Sequence, residues 1–137
     1  MKPPDVRVQG APARVQADPS LIARALENMT ENARHYGGGA DVVEVAFDHD
    51  AAPVLETSSG GVSVWVHDRG PGLPEGDPAQ IFALFYRKGG TEHGGLGLGL
   101  TLVERIARAH GGEVRAERRV GGGASVGFWL PTIAADT

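Results

Sequence analysis

"GGLGLGLTLVERIARAHGG", running from Gly94 to Gly112, is the stretch from which the rest of the chain can be ordered. Gly95, Gly97 and Gly99 alternate with Leu96, Leu98 and Leu100, and an amphipathic helix pattern then begins without a break. Each glycine costs a helix or strand about 0.5–1 kcal/mol relative to alanine. Three of them at a helix start imply that something approaches the backbone too closely for side chains. Leu98, Leu102, Val103, Ile106, Ala107 and His110 line one helix face, and Thr101, Glu104 and Arg108 line the other. Gly111 and Gly112 close the helix, which is expected over Leu98–His110. The first amides of such a helix lack intrahelical partners, and its dipole favours an anion. Arg87, Lys88 and His93 lie in the glycine-rich loop just before it, placed either to close over phosphates or simply to solvate a connection. His110 is expected to pack and bond at the helix end.

Downstream, Glu113–Arg118 and Ser125–Leu130 alternate as strands. Upstream, a short helix is expected around Pro78–Phe85, and strands at Val42–Phe47 and Val62–Asp68. The polar stretch His49–Gly61 has room for one further short strand at Val54–Thr57. Asp18-Pro19 pairs an N-cap acceptor with proline at the first helical position, and the helix it starts should run to Tyr36 before Gly37–Gly39. Val6–Gly10 and Ala13–Ala17 alternate with period two and suggest a hairpin. Strands and helices mix without strict alternation, so the expectation is an α+β domain over residues 5–131, with tails at 1–4 and 132–137.

The bulk numbers bound the function. With 137 residues, 41% of them hydrophobic, the chain fits one domain with its own core. It has no cysteine, which excludes disulfides and thiolate metal sites and points to a reducing compartment. A formal net charge of −4 argues against nucleic acid as a partner. No apolar run approaches a membrane span. The 21 glycines are clustered, which suggests a ligand site built from backbone.

Two further features converge on such a site. On the first helix, Leu21, Ile22, Ala25, Leu26, Met29, Ala33 and Tyr36 form an apolar stripe, opposite Arg24, Glu27, Thr30, Glu31 and Arg34. Asn28 and Asn32 sit four apart on the edge of that stripe, with His35 beside them. Their amides either bond to neighbouring backbone or turn carbonyl oxygens toward a cation, with His35 available to a phosphate. Hard oxygen ligands of this kind suit Mg²⁺. On the second clear strand, Asp68 continues the parity of Val62, Val64 and Val66, and a carboxylate at the end of a core-facing row needs a donor. It either caps the turn that follows or accepts a hydrogen bond from an exocyclic amine such as that of adenine. Gly70 and Gly72 follow it, where a ligand can lie against bare backbone. His49 and His67 are expected to be surface or strand residues.

Two common nucleotide motifs are missing. The only lysines are Lys2 and Lys88 and neither follows a glycine, so there is no G-x-x-x-x-G-K-[ST] loop. No G-x-G-x-x-G joins a strand to a helix. "NMTENARHY" resembles instead the N box, "DRGPG" the first glycine box, "IFALFYR" (Ile81–Arg87) the F box and "GLGLGL" the second glycine box. "GGGASVGFWLP" (Gly121–Pro131) closes the pattern. In order and spacing they resemble the catalytic ATP-binding domain of bacterial sensor histidine kinases, over Val6–Pro131. The resemblance implies a Bergerat-type α/β sandwich: a mixed sheet covered on one face by about three helices, with ATP between sheet and helices under a glycine-rich lid at Lys88–Gly94. By position it implies Asn32 as Mg²⁺ ligand, with Asn28 near the metal or phosphates. Tyr36 then lines the adenine side and Asp68 takes the adenine amino group. Gly95, Gly97 and Gly99 admit the triphosphate, the intervening leucines anchor the base of the lid, and Arg87 approaches the γ-phosphate.

This sequence departs from that pattern in places. His35 stands where lysine is frequent, Arg69 where asparagine is, the lid is short, and the His49–Gly61 connection is long. ATPases of the same superfamily, such as heat-shock chaperones and gyrases, carry a glutamate general base at the position of Asn28, and an amide cannot take a proton. Glu27 and Glu31 fall on the solvent face. The resemblance therefore implies transfer of the γ-phosphoryl group to a histidine on a separate helical dimerisation domain, with a response regulator downstream. No segment here resembles that acceptor, and "MKPP" directly before the domain suggests an excised piece. The whole kinase is expected to be a membrane-bound homodimer, with this domain cytoplasmic and monomeric in isolation. The alternatives are an ATPase or anti-sigma-factor serine kinase of the superfamily, and a degenerate module without nucleotide.

Overall fold

In the computed structural model the described residues are 3–11, 13–48, 60–73, 76–83 and 99–133. They form β1 (Asp5–Gln9), α1 (Pro19–Gly37), β2 (Ala40–Asp48), β3 (Gly61–Asp68), a short 3-10 helix (Pro78–Phe82), α2 (Gly99–Ala109), β4 (Glu113–Arg118) and β5 (Ala124–Pro131). The strands make one five-stranded sheet in the order β1-β2-β3-β5-β4. Only β1 and β2 pair in parallel, so the sheet is mixed.

The core lies on one face of this sheet. Val62, Val64 and Val66 of β3 stand opposite Leu130, Phe128 and Val126 of β5. Ala25, Met29 and Ala33 of α1 and Leu100, Val103, Ile106 and Ala107 of α2 close over them, together with Ile81 and Phe82. Period two on the strands and period 3.6 on the helices thus meet in one cluster. The expected helix layer is present, made by two α-helices and one 3-10 helix among the described residues. Met29 is wholly buried in it. Met29→Ala is expected to cost about 2–5 kcal/mol, because the cavity is walled by two helices and the sheet. Urea unfolding checks this as a lower midpoint at unchanged slope; a loss below about 1 kcal/mol would mean the helices collapse into the gap.

The far face carries Ser63, Trp65 and His67 of β3 against Trp129, Gly127 and Ser125 of β5. A Cβ at Gly127 would lie 2.6 Å from the Trp65 ring, so glycine there makes room for the indole. His67 Nε2 donates to Glu44 Oε1 at 3.1 Å, its Nδ1 lies 2.6 Å from Ser125 Oγ, and its ring stacks on Trp65.

The expected N-terminal hairpin does not form. Val6–Gln9 joins β2 in parallel, Asp5 opposite Val42 and Gln9 opposite Ala46, while residues 13–17 are not a strand. Alternation reports a two-sided strand but not its partner. Gly10, at φ +88°, turns the chain so close to β2 that a Cβ would lie 2.2 Å from the Phe47 carbonyl oxygen. The Arg14 carbonyl instead accepts from Ile133 N at 2.8 Å, so the segment expected as the second arm holds the exit of β5. Val6 and Val8 are 69% and 62% exposed on this edge strand. Leu21, placed on the apolar stripe by its spacing, is exposed as well. The helix expected to reach Phe85 is a 3-10 turn that ends at Ala83 in extended backbone; the expected strand at Val54–Thr57 lies outside the described residues.

Candidate nucleotide site

α1 is fixed at both ends by its own sequence. The Asp18 carboxylate accepts from Ser20 N at 2.9 Å with Pro19 at the first turn, and Gly38 at φ +75° ends the helix. Only Gly38 and Gly39 then separate α1 from Ala40, which pairs with Asp68. The short connection therefore brings the last turns of α1 beside the end of β3. Asn28 and Asn32 flank the buried Met29 and Ala33 and are themselves half-buried.

Asn28 Nδ2 donates to the Gly99 carbonyl at 3.1 Å, which ties α1 to the first residue of α2. The backbone reading of this amide and the ligand reading are thereby compatible: the nitrogen is used, and Oδ1 has no hydrogen-bond partner among the described residues. Asn32 has none for either amide atom among them. His35 lies in the last turn of α1. Its ring is exposed, with Nε2 3.1 Å from Glu31 Oε1. Arg34 bonds the same carboxylate and holds it below the usual carboxylate range, by hydrogen bonding first and by charge. Tyr36 lies in the last turn of α1, and its side chain is outside the described residues.

Asp68 is 5% exposed at the end of β3. Its Oδ1 accepts from Gly70 N at 2.9 Å and from Ala124 N at 3.1 Å. The turn-capping role expected of it is real, and it uses one oxygen only. Oδ2 has no partner among the described residues, which leaves a carboxylate oxygen for an outside donor. Gly72, at φ +88°, lies in the loop after β3 against Gly123, whose carbonyl oxygen would be 3.4 Å from a Cβ on Gly72.

The third element is the start of α2. Gly99 opens the helix beside Asn28, and the buried Leu100 roots the first turn in the core. Thr101 Oγ1 donates to the Phe82 carbonyl at 2.9 Å, joining this turn to the 3-10 helix. Arg87, Lys88, Gly95, Leu96, Gly97 and Leu98 lie outside the described residues, as do His49 and His93. The structure thus joins Asn28 to Gly99 at the start of α2, and Asp68 to Gly70 in the loop after β3. The sequence placed Thr101 only on the polar face of the helix and noted Arg69 only as a departure from the family pattern, and it gave no sign of their contacts or of Asp41 and Arg119 beside Asp68; no spacing rule links residues so far apart in the chain.

Residues 17–134 match the family described as "Histidine kinase-, DNA gyrase B-, and HSP90-like ATPase", and the chain belongs to that family. ATP is accordingly the nucleotide of this domain. Sensor histidine kinase CpxA of Escherichia coli (strain K12) is 37% identical over 123 residues, covering 88% of this chain and 25% of that protein. The adaptive-response sensory kinase SasA of a Synechococcus species is 36% identical over 118 residues, covering 85% of this chain and 29% of its own. Among solved structures, the mycobacterial sensor histidine kinase MprB superposes with a TM-score of 0.67 at 25% identity, over 93% of this chain and 81% of that one. Full-length ShkA, solved in complex with AMPPNP, gives 0.68 at 27% identity, over 96% of this chain and 26% of that one. The chain thus spans only about a quarter of the length of the curated relatives it matches.

Proposed function

We propose that this domain holds Mg-ATP and presents its γ-phosphoryl group to a histidine on a separate helical phosphoacceptor domain of a two-component sensor kinase. The observation that carries the reading is the amide at Asn28. An ATPase needs a group there that takes a proton from water; Asn28 has none to offer, and its nitrogen is already committed to Gly99. The neighbouring carboxylates do not replace it, because Glu27 and Glu31 are exposed and Glu31 is bonded to Arg34. A site that orients a triphosphate without activating water suits transfer to an incoming nucleophile, where positioning and charge neutralisation do most of the work.

In this reading Asp68 Oδ2 accepts the adenine amino group, and Tyr36, Gly70 and Gly72 border the base. The Asn32 carbonyl oxygen, with that of Asn28 beside it, holds Mg²⁺, which supplies neutralisation of phosphate charge. Gly95, Gly97 and Gly99 leave the backbone open to the phosphates, Leu96, Leu98 and Leu100 anchor that stretch, and Arg87 and Lys88 contribute positive charge near the γ end. The exposed ring of His35 can swing from Glu31 to the phosphates. The whole protein is proposed to be a homodimeric membrane-bound kinase acting on a response regulator, with this domain on the cytoplasmic side. Among the described residues no helix is long and apolar enough to cross a membrane.

Calorimetry with a non-hydrolysable ATP analogue, with and without Mg²⁺, tests the site. Binding is expected to tighten with Mg²⁺, and Asn32→Ala is expected to erase about 10–100-fold of that gain, on the scale of losses from perturbed metal shells. Equal affinity with and without the metal in the unsubstituted protein would remove the Asn32 assignment. Sustained phosphate release by the isolated domain would favour hydrolysis over transfer.

A further inference from the structure

The end of β3 needs an explanation that the nucleotide reading does not supply. The ladder between β3 and β5 stops at His67 and Ser125, so the Asp68 carbonyl falls beyond it. Buried backbone carbonyls need donors, and this one receives Arg119 Nη1 at 3.3 Å. Arg119 lies in the β4–β5 turn, where its own N–H donates to Gly123 O at 3.1 Å. The same Nη1 donates to Asp41 Oδ2 at 2.8 Å. Asp41 in turn occupies an irregularity in β2: Ala40 pairs with Asp68 and Val42 with His67, so Asp41 is the extra residue of a bulge. Bulges re-aim side chains, and this one gives the guanidinium its counter-charge. Arg119 is only 15% exposed, unlike a free surface arginine.

The arrangement matters because the same turn supplies a second bond. Ala124, at its far end, donates to Asp68 Oδ1. Arg119 thus fixes the peptide of Asp68 while Ala124 fixes its side chain, and both come from one hairpin. Lifting that hairpin leaves Gly70 N as the only donor still holding the carboxylate among the described residues. Arg69 adds a weaker brace, with Nη1 donating to Val120 O at 3.4 Å and Nε 3.6 Å from Asp41 Oδ2.

We propose that Arg119, paired with Asp41, is a positioning residue that aims the Asp68 carboxylate at the purine 6-amino group and so sets the preference for adenine. The proposal rests on the Mg-ATP reading of the site and extends it to residues that act on the base through Asp68. It makes Arg119 act on one chemical group of the base, whereas a purely structural arginine would affect all nucleotides alike.

The test compares ATP with inosine triphosphate, which carries a 6-oxo group in place of the amine. The unsubstituted domain, Arg119→Gln, Arg119→Lys, Asp41→Asn and Asp68→Asn are titrated by calorimetry, with unfolding monitored alongside. The unsubstituted domain is expected to prefer ATP, and Asp68→Asn to abolish that preference. Arg119→Gln is expected to lower ATP affinity about 5–10-fold while inosine triphosphate changes little, a loss of the size that one misaligned hydrogen bond brings. Arg119→Lys is expected to restore part of the preference, and Asp41→Asn to reduce it less than Arg119→Gln does. Equal losses for both nucleotides in Arg119→Gln, or none, overturn the positioning role. Absence of any preference in the unsubstituted domain overturns the Asp68 base reading itself, and the role of Arg119 with it. If Arg119→Gln fails to fold, the lysine and Asp41→Asn variants decide the question by the same ratio.

Discussion

Asp68→Asn is expected to weaken ATP binding about 10–100-fold while leaving the fold standing, since hydrogen bonds to charged groups are worth about 1.5–3 kcal/mol. An asparagine oxygen can keep the bonds from Gly70 N and Ala124 N that Oδ1 now accepts. The amide nitrogen then takes the place of Oδ2, so a donor faces the adenine amine where an acceptor stood. Asp68→Ala acts differently. It orphans the buried Ala124 amide at about 1–3 kcal/mol and removes the cap from the part-buried Gly70 amide, and so removes stability together with binding. Calorimetry with an ATP analogue and urea unfolding separate the two variants. Full ATP affinity in Asp68→Asn would show that the carboxylate serves the turn alone.

Gly123→Ala is the second large effect, and it is expected to unfold the base end of the site from behind. Gly123 has φ +100°, where a side-chain-bearing residue is strained by about 1–3 kcal/mol. Its Cβ would also stand 2.0 Å from the Asp68 carbonyl oxygen and 2.9 Å from Arg69 Cα, both backbone atoms that cannot step aside cheaply. Relieving that overlap adds about 1–3 kcal/mol more, against a total stability of about 5–15 kcal/mol for a domain. The expected result is a loss of about 2–6 kcal/mol in urea unfolding, the sum of those two costs, accompanied by weakened ATP binding. Gly122→Ala serves as the control, because a Cβ there meets nothing within 4 Å although φ is +107°. The difference between the two variants isolates the collision with Asp68 from backbone strain. Equal losses would mean that strain alone sets the cost.

What was legible in the sequence was what obeys a local period. The Asn28–Asn32 ridge follows from 3.6 residues per turn, and the inward aim of Asp68 from its parity with Val62, Val64 and Val66; in the structure Asp68 is buried with those valines. Asp18-Pro19 acts as the helix start that was read, its carboxylate accepting from the amide two residues on; Asp77, not singled out in the sequence, does the same for the 3-10 helix. Period alone does not name a strand's partner, which is why Val6–Gln9 suggested a hairpin and instead extends β2. Nor does it show that a carboxylate divides its labour between two oxygens, as Asp68 does. Asp41 and Arg119 were invisible for a different reason. Their pairing depends on one inserted residue in β2 and a turn 78 residues away in the chain, and neither leaves a mark in composition or spacing.

α1 and α2 are joined at two distant points. At one, Asn28 Nδ2 bonds the Gly99 carbonyl. At the other, His110 Nδ1 donates to the Ile106 carbonyl at 2.7 Å, which leaves Nε2 to accept from Asp18 N at 3.1 Å. The backbone N–H of the N-cap residue of α1 is therefore bound by a side chain from just past the end of α2, across β2 and β3 in sequence. Fraying of α1 from its start breaks a bond to α2, and fraying of α2 from its end breaks one to α1. The two helices therefore open as one cooperative unit, so a lesion at either tip is felt in the amide protection of both.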